Sequence, residues 1–347
     1  MIDPSIETEL RAVLEDVPPV NHAFGYGSGV LPQPLRDDEG PSASARDHAA
    51  TGSVVDFVFA VDDPRAWHRR NMAMNPSHYA PHLRALGGGT VAALADRVGA
   101  GVHYNTLIPW TKTIHPSARL APTTFKYGVV SVNAMCDDLV NWRHMFVAGR
   151  MQKPVVALGG AIDPRVTAAQ SINARSALAA ALLLLPEEFS REDLLGSLCG
   201  LSYAGDVRVA LGAEDVDKVR RIATGSERGL MEMYRDAVKV VGSDLAGLTM
   251  GRGGEVWSRD GSPAARSALF ATLPRETLHK TMSARMLVKF EDAGGRSAVE
   301  SLRECLRGTV RKSSLRQLLA GLLATSPSKS ARYAASKLFK SAASRAR

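Results

Sequence analysis

With 347 residues, 45% of them apolar and 22% charged, the chain has room for two domains, or three small ones, and the composition of an ordinary folded protein. Fibrous and wholly disordered chains are excluded. Three cysteines, Cys136, Cys199 and Cys305, are too few and too scattered for a disulfide framework or a zinc knuckle, which points to a reducing compartment.

The net charge of +8 is unevenly placed: ten Lys and Arg follow Glu304 and no acid does, so the 33 cations before that point face 35 acids. The basic surplus belongs to a C-terminal segment. The longest apolar run, Ala177 to Leu185, is 9 residues against the roughly 20 that cross a bilayer, so no spanning helix is expected. The start, MIDPSIETELRAVLED, is acidic and helical in pattern, without the layout of a signal or transit peptide. A cytoplasmic location is expected on this reading, and the Ala/Arg-rich composition suggests a bacterial source.

In chain order, a short helix and a Pro18-Pro19 turn lead into AFGYGSGV, a strand entering a glycine bend. Residues 36–53 are polar and rich in Gly, Ser and Ala, a surface-loop composition. VVDFVFAV, residues 54–61, is dense in β-branched and aromatic side chains and stops at Asp62-Asp63-Pro64, so a strand is predicted there. Further strands are expected in GVHYNTLIP (101–109) and FKYGVVSVN (125–133), with helices between them and over 136–150. After Lys153-Pro154 the pattern becomes helical: 164–185, a helix capped by Ser190, and two more within 213–241. The fold class is α/β, with expected divisions at 1–160, a helical 161–270 and a C-terminal 271–347.

Three places could carry chemistry. Closely spaced glycines in Gly25-Tyr26-Gly27-Ser28-Gly29 let backbone amides approach an anion, and Ser28 adds a hydroxyl; the same residues also suit a turn with no ligand. It is not the dinucleotide GxGxxG, since position 30 is Val. Asp56 stands at a strand start after this bend, where a carboxylate can hold magnesium against a triphosphate or simply end a hairpin. Asp137-Asp138 precedes WRHMFVAGRMQKP, so Asp138 is a candidate second metal ligand, with Arg150 and Lys153 facing phosphates, or the stretch is a charged helix start. His78 and His82 are four apart across Pro81 with no third ligand, a poor zinc pattern. The end of the chain sets Tyr333, Leu338 and Phe339 among six basic residues, an amphipathic helix for an anionic membrane, a polyanion-binding arm or a solvated tail.

GYGSGV, DFVFAVDDPRAWHRRNMAMNPSHYAPHL, GAGVHYNTLIP, FKYGVVS, DLVNWRHMFVAGRMQKPV, LSYAGDVRV and VRKSSLRQLLAGLL resemble, in that order, the mitochondrial-type phosphatidate cytidylyltransferases, the translocator assembly and maintenance family of CDP-diacylglycerol synthases. The likeness runs from about residue 20 to about 340. It implies a polymerase-β-type nucleotidyltransferase domain, a winged-helix-like domain and a membrane-docking C-terminal region. The implied partners are CTP, phosphatidic acid and an anionic membrane surface, with Mg2+ as cofactor and no nucleic acid. The implied place is the inner face of a membrane, or the matrix side of the mitochondrial inner membrane in a eukaryote. On that basis Asp56 and Lys126 are the expected catalytic residues, and Asp56 with Asp138, or with Asp62 or Asp63, the metal ligands. CTP contacts are expected from Gly27, Ser28, Gly29, Tyr104, Asn105, Arg150 and Lys153, and membrane contacts from Lys329, Arg332, Lys337, Leu338, Phe339 and Lys340. A nucleotidyltransferase acting on RNA or protein and a non-catalytic membrane scaffold are the competing readings. The superfamily's Asp-x-Asp pair is not evident, because positions 54 and 58 are both Val.

Overall fold

The computed structural model describes residues 4–31, 53–111, 122–210, 217–251, 256–288 and 298–325. It is mixed helix and sheet, and the chain divides into two compact units that interleave in sequence. The first comprises Met1–Met135, Val155–Thr167 and the chain from Leu315; the second comprises Cys136–Pro154 and Ala168–Ser314. This differs from a linear division at residues 160 and 270. The polar stretch 36–53 lies outside the described residues apart from Ser53, and the basic residues from Lys329 onward lie outside them altogether.

The first unit is built on a five-stranded sheet of β1 (His22–Tyr26), β2 (Ser53–Val61), β3 (His103–Pro109), β4 (Pro122–Ser131) and β5 (Val156–Ala157), in the order β3-β4-β2-β1-β5. Only the β2/β4 pairing is parallel. Alternation along β2 and β4 puts Val55, Phe57, Phe59, Phe125, Tyr127 and Val129 on one face. There they form a core with Ile6 and Leu10 of the helix Pro4–Arg11 and with Trp67 of the helix Pro64–Met74. Phe59 and Tyr127 stack at 5.2 Å and Phe57 and Trp110 at 6.4 Å, and each fully buried ring contributes roughly 1.5–3 kcal/mol. Asp63 ends β2 as anticipated by capping the next helix: its carboxylate accepts from the Arg65 and Ala66 amides at 2.9 and 3.1 Å.

The second unit is largely helical. Ser190 and Asp193 form a reciprocal capping box at the start of the helix Arg191–Gly200. A small sheet of β6 (Glu188–Ser190), β7 (Thr249–Met250) and β8 (Val256–Ser258) also belongs here, and its strands of two or three residues are too short to show a period in sequence. The helix expected over 136–150 is two helices, Val132–Asn141 and Val147–Met151. Between them Trp142 and Met145 take positive φ, 52° and 50°.

Candidate active site

Strand register places Tyr26, Asp56 and Lys126 opposite one another on β1, β2 and β4. They occupy the sheet face away from Phe57 and Tyr127. The Lys126 ammonium stands 3.0 Å from Asp56 Oδ1 and 4.3 Å from the centre of the Tyr104 ring, which β3 supplies. The Tyr26 and Tyr104 hydroxyls meet at 3.1 Å, so two tyrosines from β1 and β3 reach each other across the strands that carry the ion pair.

The glycine bend follows β1 directly. Gly27 has φ +82°, a conformation an L side chain adopts only with strain, and its carbonyl accepts from the Val30 and Leu31 amides at 3.0 and 2.9 Å. Gly29 packs its backbone on the start of β2 so closely that a Cβ there would overlap the Val54 carbonyl. The bend is therefore pressed against the strand bearing Asp56, and a Cβ at Gly27 would lie 3.9 Å from Asp56 Oδ2. Gly27 and Ser28 are exposed. The bend and the carboxylate, 29 positions apart in sequence, thus meet where β1 ends, beside a lysine.

Asn105 was expected at the nucleotide, and the structure places it elsewhere. It is buried on the face opposite Tyr104, and its amide donates to the Tyr127 hydroxyl at 3.0 Å. Asn71 donates to the same hydroxyl at 2.6 Å, and His78 Nδ1 lies 2.8 Å away. Tyr79 continues the network, within 2.9 Å of Asn71 Nδ2 and 2.8 Å of His68 Nδ1. Burial pushes the Tyr79 hydroxyl up to about 12 and the His103 ring down to about 4, so both are neutral near pH 7. Asn105 thus belongs to the packed underside of the sheet.

Asp138 also has a different role. It is buried, and its carboxylate accepts from the amides of His144, Phe146, Val147 and Ala148 at 2.7–3.0 Å. Four backbone donors occupy both oxygens, so Asp138 caps the helix Val147–Met151 and is not open as a metal ligand. The alternatives just after β2 are engaged too. Asp62 pairs with Arg165 at 2.9 Å and accepts from Asn21, and the Arg165 hydrogen bond foremost holds its carboxyl below the usual range; Asp63 is the helix cap described above. Asp56 remains. Its Oδ2 faces the exposed bend, which fits Mg2+ held by one carboxylate together with substrate phosphates, the usual way this ion is bound at nucleotide sites. Among the described residues no group of three His, Cys, Asp or Glu could hold a metal by itself.

Arg150 and Lys153 belong to the second unit, at the end of the helix that Asp138 caps. The Lys153 ammonium donates to the Gly149 carbonyl and lies 2.6 Å from Ser202 Oγ; Arg150 donates to the Phe146 carbonyl at 2.6 Å.

A carboxylate and a lysine facing a glycine bend on a mixed sheet form a centre suited to handling phosphate anions beside a divalent cation. Residues 10–340 match the family model described as phosphatidate cytidylyltransferase, mitochondrial. The phosphatidate cytidylyltransferase of Xenopus laevis is 36% identical over 345 residues, covering 96% of this chain and 94% of that protein. The Bos taurus protein of the same name is 34% identical over 349 residues, 95% and 93% of the two chains, and that of Drosophila melanogaster 39% over 266 residues, 74% of each. The chain belongs to this family.

Proposed function

We propose that this chain transfers the cytidylyl group of CTP to phosphatidic acid, giving CDP-diacylglycerol and pyrophosphate, with Mg2+ as cofactor. The observation that carries the reading is the approach of the Gly27 bend to Asp56 Oδ2 beside Lys126 in a member of this family. In the free site Lys126 neutralises Asp56. On CTP binding the Lys126 ammonium turns to the phosphates, and the backbone of Gly27, Ser28 and Gly29 cradles the β- and γ-phosphates. Asp56 would hold the magnesium, which when bound supplies charge neutralisation across the triphosphate. Tyr104 steers Lys126 through its ring face. A non-bridging phosphate oxygen of phosphatidic acid attacks the α-phosphorus, the bond from that phosphorus to the αβ-bridging oxygen breaks, and pyrophosphate leaves with the electron pair. Positioning and neutralisation carry most of such a barrier reduction.

The acceptor is a membrane lipid, and no helix among the described residues is long and apolar enough to span a bilayer. Docking at an anionic surface is supported by the helix Ala298–Ala324. Its last turns expose Leu315, Leu318, Leu319, Leu322 and Leu323, at i, i+3, i+4, i+7 and i+8 of one face. The same turns are held within the first unit by the residues between those leucines: Arg316 donates to the carbonyls of Gly99, Asp96 and Arg97 at 2.8–3.1 Å, and Gln317 to that of Val102 at 3.1 Å. The deciding experiment is pyrophosphate release from CTP and from ATP, with phosphatidic acid or RNA as acceptor. Release confined to CTP with phosphatidic acid is expected; release with RNA, or none with the lipid, overturns the reading.

A further inference from the structure

Tyr26 stands at the end of β1, in register with Asp56 on β2, which is itself in register with Lys126 on β4. Tyr104 comes from β3, on the far side of β4. Three strand spacings of roughly 4.8 Å each separate β1 from β3, so the 3.1 Å approach of the two hydroxyls requires both rings to lie along the sheet face, across the strands that carry the ion pair. Gly128 seats one end of this crossbar. It faces Tyr104 across the β3/β4 ladder and is two positions from Lys126, hence on the same face of β4. A Cβ at Gly128 would lie 2.7 and 2.9 Å from Tyr104 Cε1 and Cζ, closer than side-chain atoms pack, so the ring fills the space that any larger residue would take. The Tyr104 ring thus rests on β4, carries the Lys126 ammonium 4.3 Å from its centre, and meets Tyr26 at its hydroxyl. Tyr26, Asp56, Tyr104, Lys126 and Gly128 all belong to the first unit.

We propose that Tyr26 is a positioning residue for Lys126: its hydroxyl fixes the Tyr104 ring on the Gly128 seat, and the ring keeps the Lys126 ammonium in one place on the sheet whether or not Asp56 holds it. This rests on the reading of the site given above. A lysine ammonium ends a flexible four-carbon stem, so its place is set by what it rests on. When Asp56 is taken up by a metal and the ion pair is released, the ring face still attracts the cation and sets it toward the arriving phosphates. Tyr26 touches no reacting atom in this scheme and works through Tyr104.

The test is a double-mutant cycle in the full chain: Tyr26→Phe, Tyr104→Phe and the two together, each change removing a hydroxyl and keeping the ring. CTP is titrated by calorimetry in the presence of Mg2+, and kcat and KM are measured for CTP and for phosphatidic acid. Each single variant should lower kcat/KM for CTP and raise Kd for CTP about three- to tenfold, the scale of one hydrogen bond, with KM for phosphatidic acid and the melting temperature little changed. The double variant should lose no more than either single, because the bond between the hydroxyls is lost only once. In a Lys126→Gln background, Tyr26→Phe should weaken CTP binding no further. Additive losses in the double variant, or an undiminished effect of Tyr26→Phe without Lys126, would overturn the proposal, as would full CTP affinity and turnover in Tyr26→Phe. A fall in melting temperature with turnover and CTP affinity intact would reduce the hydroxyl pair to a structural tie. Wild-type protein that releases no pyrophosphate but shows this coupling in CTP affinity would sink the proposed reaction and leave the positioning role standing.

Discussion

Asp56 has one carboxylate oxygen 3.0 Å from the Lys126 ammonium and the other turned toward Gly27, where an added Cβ would lie 3.9 Å away. The carboxylate therefore touches both the cation that holds it in the free protein and the bend that would bring it a substrate phosphate. Asp56→Ala should abolish pyrophosphate release while leaving the melting temperature within a few degrees, because a half-exposed ion pair contributes about 1 kcal/mol or less. Retained turnover would remove Asp56 from the chemistry.

Gly27→Ala tests the bend separately. Holding an L residue at φ +82° costs roughly 1–2 kcal/mol, and the new methyl enters the space beside Asp56. CTP binding should weaken about tenfold or more while the variant stays folded, as read by calorimetry and circular dichroism. Unaltered CTP affinity would show that the bend does not receive the phosphates.

Asp138 has a structural task with its own signature. Removing its carboxylate takes away the acceptor that the His144, Phe146, Val147 and Ala148 amides share, in a loop that already carries positive φ at Trp142 and Met145. Asp138→Ala should cost on the order of 3 kcal/mol in urea unfolding. A loss of magnesium affinity without loss of stability would reverse the assignment.

Much of this was readable in the chain. VVDFVFAV announces β2 by composition, the bend follows β1 as the glycines require, and Ser190 caps its helix. Tyr104 and Asn105 are adjacent on a strand, and alternation alone says they face opposite sides, a signal sufficient to separate their roles. Tyr26 needed the cross-strand register, which sequence does not state. Asp138 could not be assigned because its partners lie six to ten residues ahead in a left-handed loop, where neither helical nor strand spacing applies. The leucine spacing in LRQLLAGLL is visible, but which face meets solvent depends on Arg316 and Gln317 finding carbonyls more than 200 residues earlier.

Acid should loosen the first unit before it touches the carboxylates. Burial pushes the His103 ring down to about 4 from 6.5, so below pH 6.5 the unfolded chain takes up a proton that the folded chain refuses. Stability therefore falls as pH drops from about 6.5 toward 4, by on the order of 3 kcal/mol from this ring, and burial shifts His68 and His22 in the same direction. The urea midpoint should be lower at pH 5 than at pH 7. Equal midpoints would mean these rings are not held neutral.

The leucine face makes the final prediction. Arg316 and Gln317 hold the last turns of the helix Ala298–Ala324 on the first unit, so the exposed leucines form a surface of the same body that carries Asp56. Each leucine inserted into the headgroup boundary adds about 1 kcal/mol or more, less than full burial because each is already partly covered. Replacing Leu318 and Leu322 together by Ser should weaken sedimentation with phosphatidic acid-containing vesicles about tenfold or more, with CTP affinity unchanged. The anchoring side chains stay intact, so the helix should remain folded. Undiminished vesicle binding would assign docking to another surface and leave the leucine stripe without a lipid role.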